Sequence, residues 1–357
     1  MNGVSFDDLL DVRKGDERLT TGSAPSRIEK LSAAVEWEVK AKALREIFLQ
    51  TLGEPPGISC PLSLEVIHEA DCGDHIRRKV AYSLEPDERV SAYVLIPKGR
   101  HKAPGIICIH QTTPLGKEQP IGSDPSDRGQ DYAYALHLVR RGYVTLAYDL
   151  LSAGERRYPG LEAFDTSPFY GRYPRWSARG KDLWDASRAI DILLSIEEVD
   201  ADRIGSIGHS QGGGITIHAM MLDDRIKAGV SNCGVWPYRV SKNPFNNART
   251  GWWVGRPFLR PYCYTGKPFP IDLHEYLALI APRAIMNIMA LNDWMYTPEE
   301  EHIARSALDN MADNVSKVFR LLDAEDNFGN VLHTQRHSFL VEQRETAYAF
   351  LDQKLKG

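Results

Sequence analysis

Arg203-Ile204-Gly205-Ser206-Ile207-Gly208-His209-Ser210-Gln211-Gly212-Gly213-Gly214-Ile215-Thr216-Ile217 is the stretch whose reading decides the fold. An apolar run of strand length ends at Gly208, and a second apolar run able to start a helix follows Gly212. Between them stands Gly-x-Ser-x-Gly, with the smallest residue at both shoulders of Ser210. Strand, sharp turn, then helix is the order a nucleophile elbow needs: the bend has no room for side chains two residues either side, so the serine projects from the crest and nearby amides face a substrate. Gly and Ser also fill connections that only reverse the chain, but those lack the strand in front and the small residues behind.

Outward from this turn the chain divides into an N-terminal arm and helix, 1–60, expected to pack on the core, and one large domain over 61–357. In the first part, Ile28, Leu31, Val35, Leu44, Ile47 and Phe48 form a rough helical stripe, closed by Gly53-Glu54-Pro55-Pro56-Gly57. Stretches 62–69, 76–84 and 90–96 read as antiparallel strands, the last alternating Val90, Ala92, Val94, Ile96. After Pro97 the pattern changes to wholly apolar runs at 105–110, 143–148, 203–208, 226–233, 284–290 and 318–322, separated by helices near 131–141, 178–196, 298–311 and 339–355. Strands apolar on both faces and alternating with helices mean a mostly parallel central sheet covered on both sides, here extended by the antiparallel N-terminal strands. The fold class is therefore α/β. Two stretches break the alternation, 150–175 and 235–270, rich in Gly, Pro and aromatic residues. Both follow strands, so they are expected as cap-like insertions over the C-terminal edge of the sheet, where open α/β sheets hold their ligands.

A serine hydroxyl is a weak nucleophile until a base takes its proton, and the base must be oriented by an acid. With the order Ser, acid, His along the chain, Asp293 is the leading acid: it follows the run 284–290 and precedes a helix opened by Thr297 and Pro298. His337, just ahead of the terminal helix, is the leading base, with His333 as its competitor. His218 and His137 fall inside helices, and His209 is expected to pack beneath the serine. Two amides must face the oxyanion. One is assigned to Gln211 and the other to Thr112, in the loop after 105–110, with Gln111 as the near alternative. Gln111, Glu155, Trp236 and Trp252 are candidate substrate-binding residues. His333-x-x-x-His337 has helical ligand spacing but lacks the Glu of H-E-x-x-H, and no phosphate-cradling loop is present, so neither metal nor cofactor is expected.

Composition narrows the partners. Of 357 residues, 43% are hydrophobic and 25% charged, and the net charge of −5 leaves no basic footprint for nucleic acid. No apolar run approaches the ~20 residues needed to cross a bilayer. Five widely spaced cysteines without C-x-x-C read as free thiols in a reducing compartment, and the N-terminus carries no basic-then-apolar signal, so cytoplasmic residence is expected. The N-terminal helix is a contact surface on which a homo-oligomer would form.

Together these residues resemble the α/β-hydrolase superfamily from about Leu62 onward. Within it, Val90-Ser91-Ala92-Tyr93-Val94-Leu95-Ile96-Pro97, Gly142-Tyr143-Val144, Asp149 with Gly154-Glu155-Arg156, and Asp200-Ala201-Asp202-Arg203-Ile204 resemble the branch of dienelactone hydrolases, acetyl xylan esterases and prolyl-oligopeptidase-type domains. Asp272-Leu273-His274 and Ala281-Pro282-Arg283 are similar to bacterial carbohydrate esterases, including glucuronoyl esterases, although those carry Cys before and Arg after the serine where this chain has His209 and Gln211. The resemblance implies an α/β-hydrolase fold and a serine carboxylic-ester hydrolase working through an acyl-enzyme on a small-molecule ester, of a carbohydrate or an aryl alcohol. The same triad would serve a peptidase or acyl-transferase, and a hydrolase fold without its chemistry would be a binding module. Against these stand the short stretch ahead of the core, too small for an oligopeptidase propeller, and the survival of nucleophile, acid and base in order.

Overall fold

The structure, a computed structural model, describes residues 33–57, 59–99, 102–241, 253–296 and 301–357. Its centre is a nine-stranded sheet in the order β1-β2-β3-β5-β4-β6-β7-β8-β9. The strands are β1 Glu65–Asp71, β2 His75–Glu85, β3 Glu88–Pro97, β4 Ala103–Ile109, β5 Val144–Tyr148, β6 Val199–His209, β7 Ile226–Asn232, β8 Ala284–Ala290 and β9 Phe328–His333. The first three pair antiparallel with one another and β3 pairs antiparallel with β5; every later pairing is parallel. All residues of β4, β5 and β8 are buried, as a sheet covered on both faces requires. By contrast β1, at one edge, is exposed along nearly its whole length.

The longer helices are α1 Ala34–Leu52, α2 Tyr134–Arg140, α4 Ala178–Leu194, α5 Gln211–Leu222, α8 Glu301–Leu321 and α9 Val341–Leu355; the short α3 Ser167–Arg172, α6 Arg260–Thr265 and α7 Leu273–Ala278 lie between them. Helix α1 turns Trp37, Ala41, Leu44, Ile47 and Phe48 into the same core cluster as the sheet and leaves Val35 outside. Ile28 and Leu31, read as part of its stripe, lie outside the described residues.

One expected strand is a helix. Residues 318–321 are the end of α8, with Leu322 in the turn that follows; along the helix Leu308, Met311, Val315, Val318 and Phe319 recur at helical spacing and are buried together. The local run Val-Phe-Arg-Leu-Leu looked like a strand because its period is visible only over the preceding three turns. The ninth strand comes later, pairing with β8 from Ile285↔Phe328 to Ala290↔His333. Its residues are mostly half-buried, as befits an edge strand, so it lacks the apolar signature.

The two insertions are tied to each other. Val254 donates its amide to Thr166 Oγ1 (2.9 Å), Tyr170 donates its hydroxyl to the Val254 carbonyl (2.8 Å), and the Phe164 and Trp253 rings lie 4.9 Å apart. Arg179, in the first turn of α4, donates its amide to Gly255 O at 2.9 Å and fastens this pair to the body.

Candidate active site

Strand β6 runs straight into α5 through Ser210, whose backbone sits at φ 54°, ψ −118°. A non-glycine residue there is strained and persists only where its surroundings hold it. The holding is visible. A Cβ on Gly208 would fall 2.2 Å from the Gly212 carbonyl carbon, and one on Gly212 would fall 2.0 Å from Ile109 O. The Ser210 amide donates to Asn232 O at 2.8 Å, locking the turn against β7.

Two loops deliver the partners. Asp293 follows β8 and is fully buried; His337 follows β9. The His337 Nδ1 lies 2.6 Å from Asp293 Oδ2, and its Nε2 lies 2.8 Å from Ser210 Oγ. A carboxylate only accepts, so Nδ1 carries the proton and Nε2 is left to accept from the serine hydroxyl. Asp293 Oδ1 accepts from the Met295 amide at 2.9 Å. Asn292, which the sequence did not mark, clamps the loops together: its Nδ2 donates to Thr334 O (2.9 Å) and its Oδ1 accepts from the Arg336 amide (2.9 Å).

His333 is not brought to this group. As the last residue of β9 it accepts the Gln335 amide on Nδ1 at 3.1 Å, and burial pushes its pKa down. His209 lies under the elbow as expected. Its ring stacks on Tyr132, 5.1 Å away, and sits 4.7 Å from His337; Asn232 Nδ2 is 2.6 Å from its Nδ1. Burial first, and the His337 ring second, hold its pKa well below the usual value, so it packs as a neutral ring. Cys233 adjoins the acid. Its sulfur, an Asp293 oxygen and a His337 nitrogen fall within 4.8 Å of one another, but Asp293 and His337 already bond each other, and burial raises the thiol pKa well above its ordinary value.

Gln211 is the first residue of α5, so its amide has no acceptor within the helix. Across from it, the loop after β4 is shaped by His110, whose Nδ1 bonds Gln111 O (2.6 Å) while Nε2 accepts the Leu150 amide (3.0 Å). Thr112 Oγ1 donates to Gln211 Oε1 at 3.2 Å, bringing the two assigned oxyanion residues side by side. The Gln111 side chain donates to Gln119 Oε1 at 3.1 Å.

Beside the elbow lies a pocket walled by both insertions. Leu151 and Thr166 come from the first; Trp236, Tyr238, Trp253 and Arg256 from the second; Arg179 and Asp182 from α4; Gln211 from the elbow. Trp236 is buried and lies nearly parallel to Tyr296, 6.5 Å away, and Tyr296 is itself 6.2 Å from the His337 ring. Trp252 lies outside the described residues. Glu155 is not in this lining: its carboxylate accepts from Lys79 (2.5 Å) and Ser91 (2.6 Å) and lies 3.3 Å from Lys117. It belongs to an ion network around Asp149, whose carboxylate takes Lys117 Nζ (2.6 Å) and the Glu155 amide (3.1 Å), with Arg156 bridging Glu88 and Asp185 beside it. The Asp149/Gly154-Glu155-Arg156 motif thus anchors the first insertion. Arg179, Asp182 and Arg256 were missed as pocket residues, since a helix's first turn and a loop charge look like ordinary solvated positions until the insertions fold over them.

Comparison with known proteins agrees with this architecture. Residues 139–312 match the family pattern described as glucuronyl esterase, fungi, and residues 30–170 match an Abhydrolase family. The Bacillus subtilis protein YtaP is 26% identical over 323 residues, 89% of this chain and the whole of that protein. Among solved structures, a glucuronoyl esterase from Solibacter usitatus superposes with TM-score 0.68 at 20% identity, covering 90% of this chain and 94% of that one. A glucuronoyl esterase from Teredinibacter turnerae gives TM-score 0.67 at 20% identity over 90% and 86%. The chain has the α/β-hydrolase fold of these structures.

Proposed function

We propose that the protein hydrolyses carboxylic esters of carbohydrates through Ser210, His337 and Asp293. His337 Nε2 takes the Ser210 proton as Oγ attacks the ester carbonyl, and Asp293 steadies the imidazolium formed. The Gln211 and Thr112 amides receive the oxyanion. The tetrahedral adduct collapses, His337 returns the proton to the departing alcohol, and a water activated by the same imidazole frees the acid from the acyl-serine. The observation that carries this reading is the continuous chain of hydrogen bonds from Asp293 Oδ2 through His337 to Ser210 Oγ, at 2.6 and 2.8 Å.

Carbohydrate as the substrate class is supported by the glucuronyl esterase pattern over 139–312. Residence in a reducing compartment is supported by five free cysteines, two of them fully buried. The test is Ser210→Ala. Turnover of 4-nitrophenyl acetate and of uronate methyl esters should fall by about a thousandfold or more while circular dichroism stays unchanged. Retained turnover in the folded variant defeats the assignment.

A further inference from the structure

Two neighbouring residues grip the loop that follows β4 at both of its ends. Asp149 and Leu150 come directly after β5, where the first insertion begins. At the start of the loop, the Leu150 amide donates to His110 Nε2 at 3.0 Å. At its far end, the Asp149 carboxylate accepts the Lys117 amide on Oδ1 (2.7 Å) and Lys117 Nζ on Oδ2 (2.6 Å). Both side chains of that ion pair are only 1% exposed. Glycines make room for the carboxylate from two sides: a Cβ on Gly116 would fall 2.0 Å from Asp149 Oδ1, and one on Gly154, in the insertion, 2.1 Å from the same atom. Between the two grips lies Thr112, whose amide is assigned to the oxyanion. The stretch is also closed on itself, by Gly116 N to Thr113 O (3.3 Å) and by Gln111 Nε2 to Gln119 Oε1 (3.1 Å).

We propose that the buried Lys117–Asp149 pair is a positioning device for the oxyanion hole, holding the Thr112 amide where the tetrahedral adduct needs it. This rests on the ester-hydrolase reading above and deepens it, by naming residues that act through that amide and not on the substrate. Amides stabilise an oxyanion when they are aimed beforehand at the place where charge will form, and losing one such donor costs roughly 10²–10³-fold in kcat. The Gln211 amide is set by the helix it opens, whereas Thr112 sits in a loop and takes its place from bonds to its neighbours. An ion pair suits that task, since charge-assisted hydrogen bonds are shorter and roughly twice as strong as neutral ones. Stability alone is a weak reason to bury both charges, because apolar residues of the same volume often hold a fold as well or better. What the pair adds is fixed geometry at a point where geometry counts. The same carboxylate accepts the Glu155 amide (3.1 Å), so the insertion that walls the pocket and the loop that faces the oxyanion share one anchor. His110 completes the grip: burial pushes its pKa down, and the neutral ring donates from Nδ1 to Gln111 O while Nε2 accepts.

The experiment removes both charges together, Lys117→Met with Asp149→Asn, so that no ion is left buried and unpaired. In a 4-nitrophenyl acetate assay kcat should fall about thirtyfold or more, while KM moves by less than about threefold. Phenylboronic acid supplies the second readout, because its tetrahedral adduct with Ser210 Oγ puts an oxygen where the oxyanion would lie. Its Ki should rise by about the factor lost from kcat/KM. A merely structural role would not move Ki, since partial unfolding lowers the amount of active protein and leaves the affinity of the survivors as it was. If circular dichroism shows the double variant unfolded, Lys117→Gln, which leaves two backbone amides on Asp149, decides by the same two readouts, with about a tenfold change expected in each. Three results in a folded variant overturn the proposal: kcat and Ki both within about threefold of wild type, a fall in kcat with Ki unchanged, or a rise in KM alone. Any of these, with turnover still dependent on Ser210, sinks this inference and leaves the ester-hydrolase reading standing. Turnover surviving in Ser210→Ala sinks the reading beneath it.

Discussion

The crest of the sheet and the wall above it are built on opposite principles. At the crest, Ser210, Asp293 and His337 hang from the ends of β6, β8 and β9, and what positions them is backbone: register, two obligatory glycines, and amide hydrogen bonds such as Ser210 N to Asn232 O. In the wall, Arg179, Asp182, Trp236 and Arg256 are positioned by side chains: ion pairs, stacked rings and a hydroxyl tying one insertion to the other. The difference teaches where each kind of change is tolerated. Chemistry resting on main-chain geometry fails at any added atom, while a wall resting on side-chain pairs can be re-lettered one pair at a time.

The largest break is expected at the crest. Asp293→Asn keeps shape but presents a donor where His337 Nδ1 must donate, so the ring adopts the wrong tautomer; kcat should fall about 10³–10⁴-fold, read in a 4-nitrophenyl ester assay. Gly212→Ala comes next. Its Cβ would meet Ile109 O at 2.0 Å, and neither backbone can retreat, so a loss on the order of 3 kcal/mol should appear as a lowered urea midpoint, with activity falling together with it.

The smallest effect sharpens the wall. Asp182 has a folded pKa of about 6 against an ordinary 3.8, because burial disfavours its charge. The folded protein therefore binds a proton that the unfolded chain does not between those values, and stability from this group rises as pH falls through 6. Passing from pH 8 to pH 5 should gain the wild-type protein about 1 kcal/mol that Asp182→Asn does not gain. Melting curves of the two proteins at both pH values test this, and parallel shifts would show that Asp182 is not held in that state.

Most of the crest was legible in the sequence, because its constraints are short-range. Gly208 and Gly212 are demanded by a turn five residues long, and Asp293 and His337 each stand directly after a run that had to be a strand or before one that had to be a helix. The choice between His337 and His333 was legible only as a matter of position. The structure gives its reason: β9 ends on His333 itself, leaving that ring in the ladder and His337 on the free loop. The mistaken strand at 318–322 comes from the same region, where the real edge strand is half-buried and the helix before it carries the apolar residues. The wall was the illegible part. Nothing local to Arg179 or Arg256 announces a pocket, since it exists only once residues 150–175 and 235–270 lie against each other. Glu155 seemed a plausible crevice residue for its charge, yet the lysines of β2 and the loop after β4 hold it in the anchoring network.

The bonds joining Val254 to Thr166 and Tyr170, with the Phe164 and Trp253 rings between them, carry a lesson for anyone wishing to retarget this enzyme. Neither insertion is a separate module that can be transplanted by itself. A graft from a relative must bring both halves together, as one would replace an arch by fitting its two sides and keystone at once.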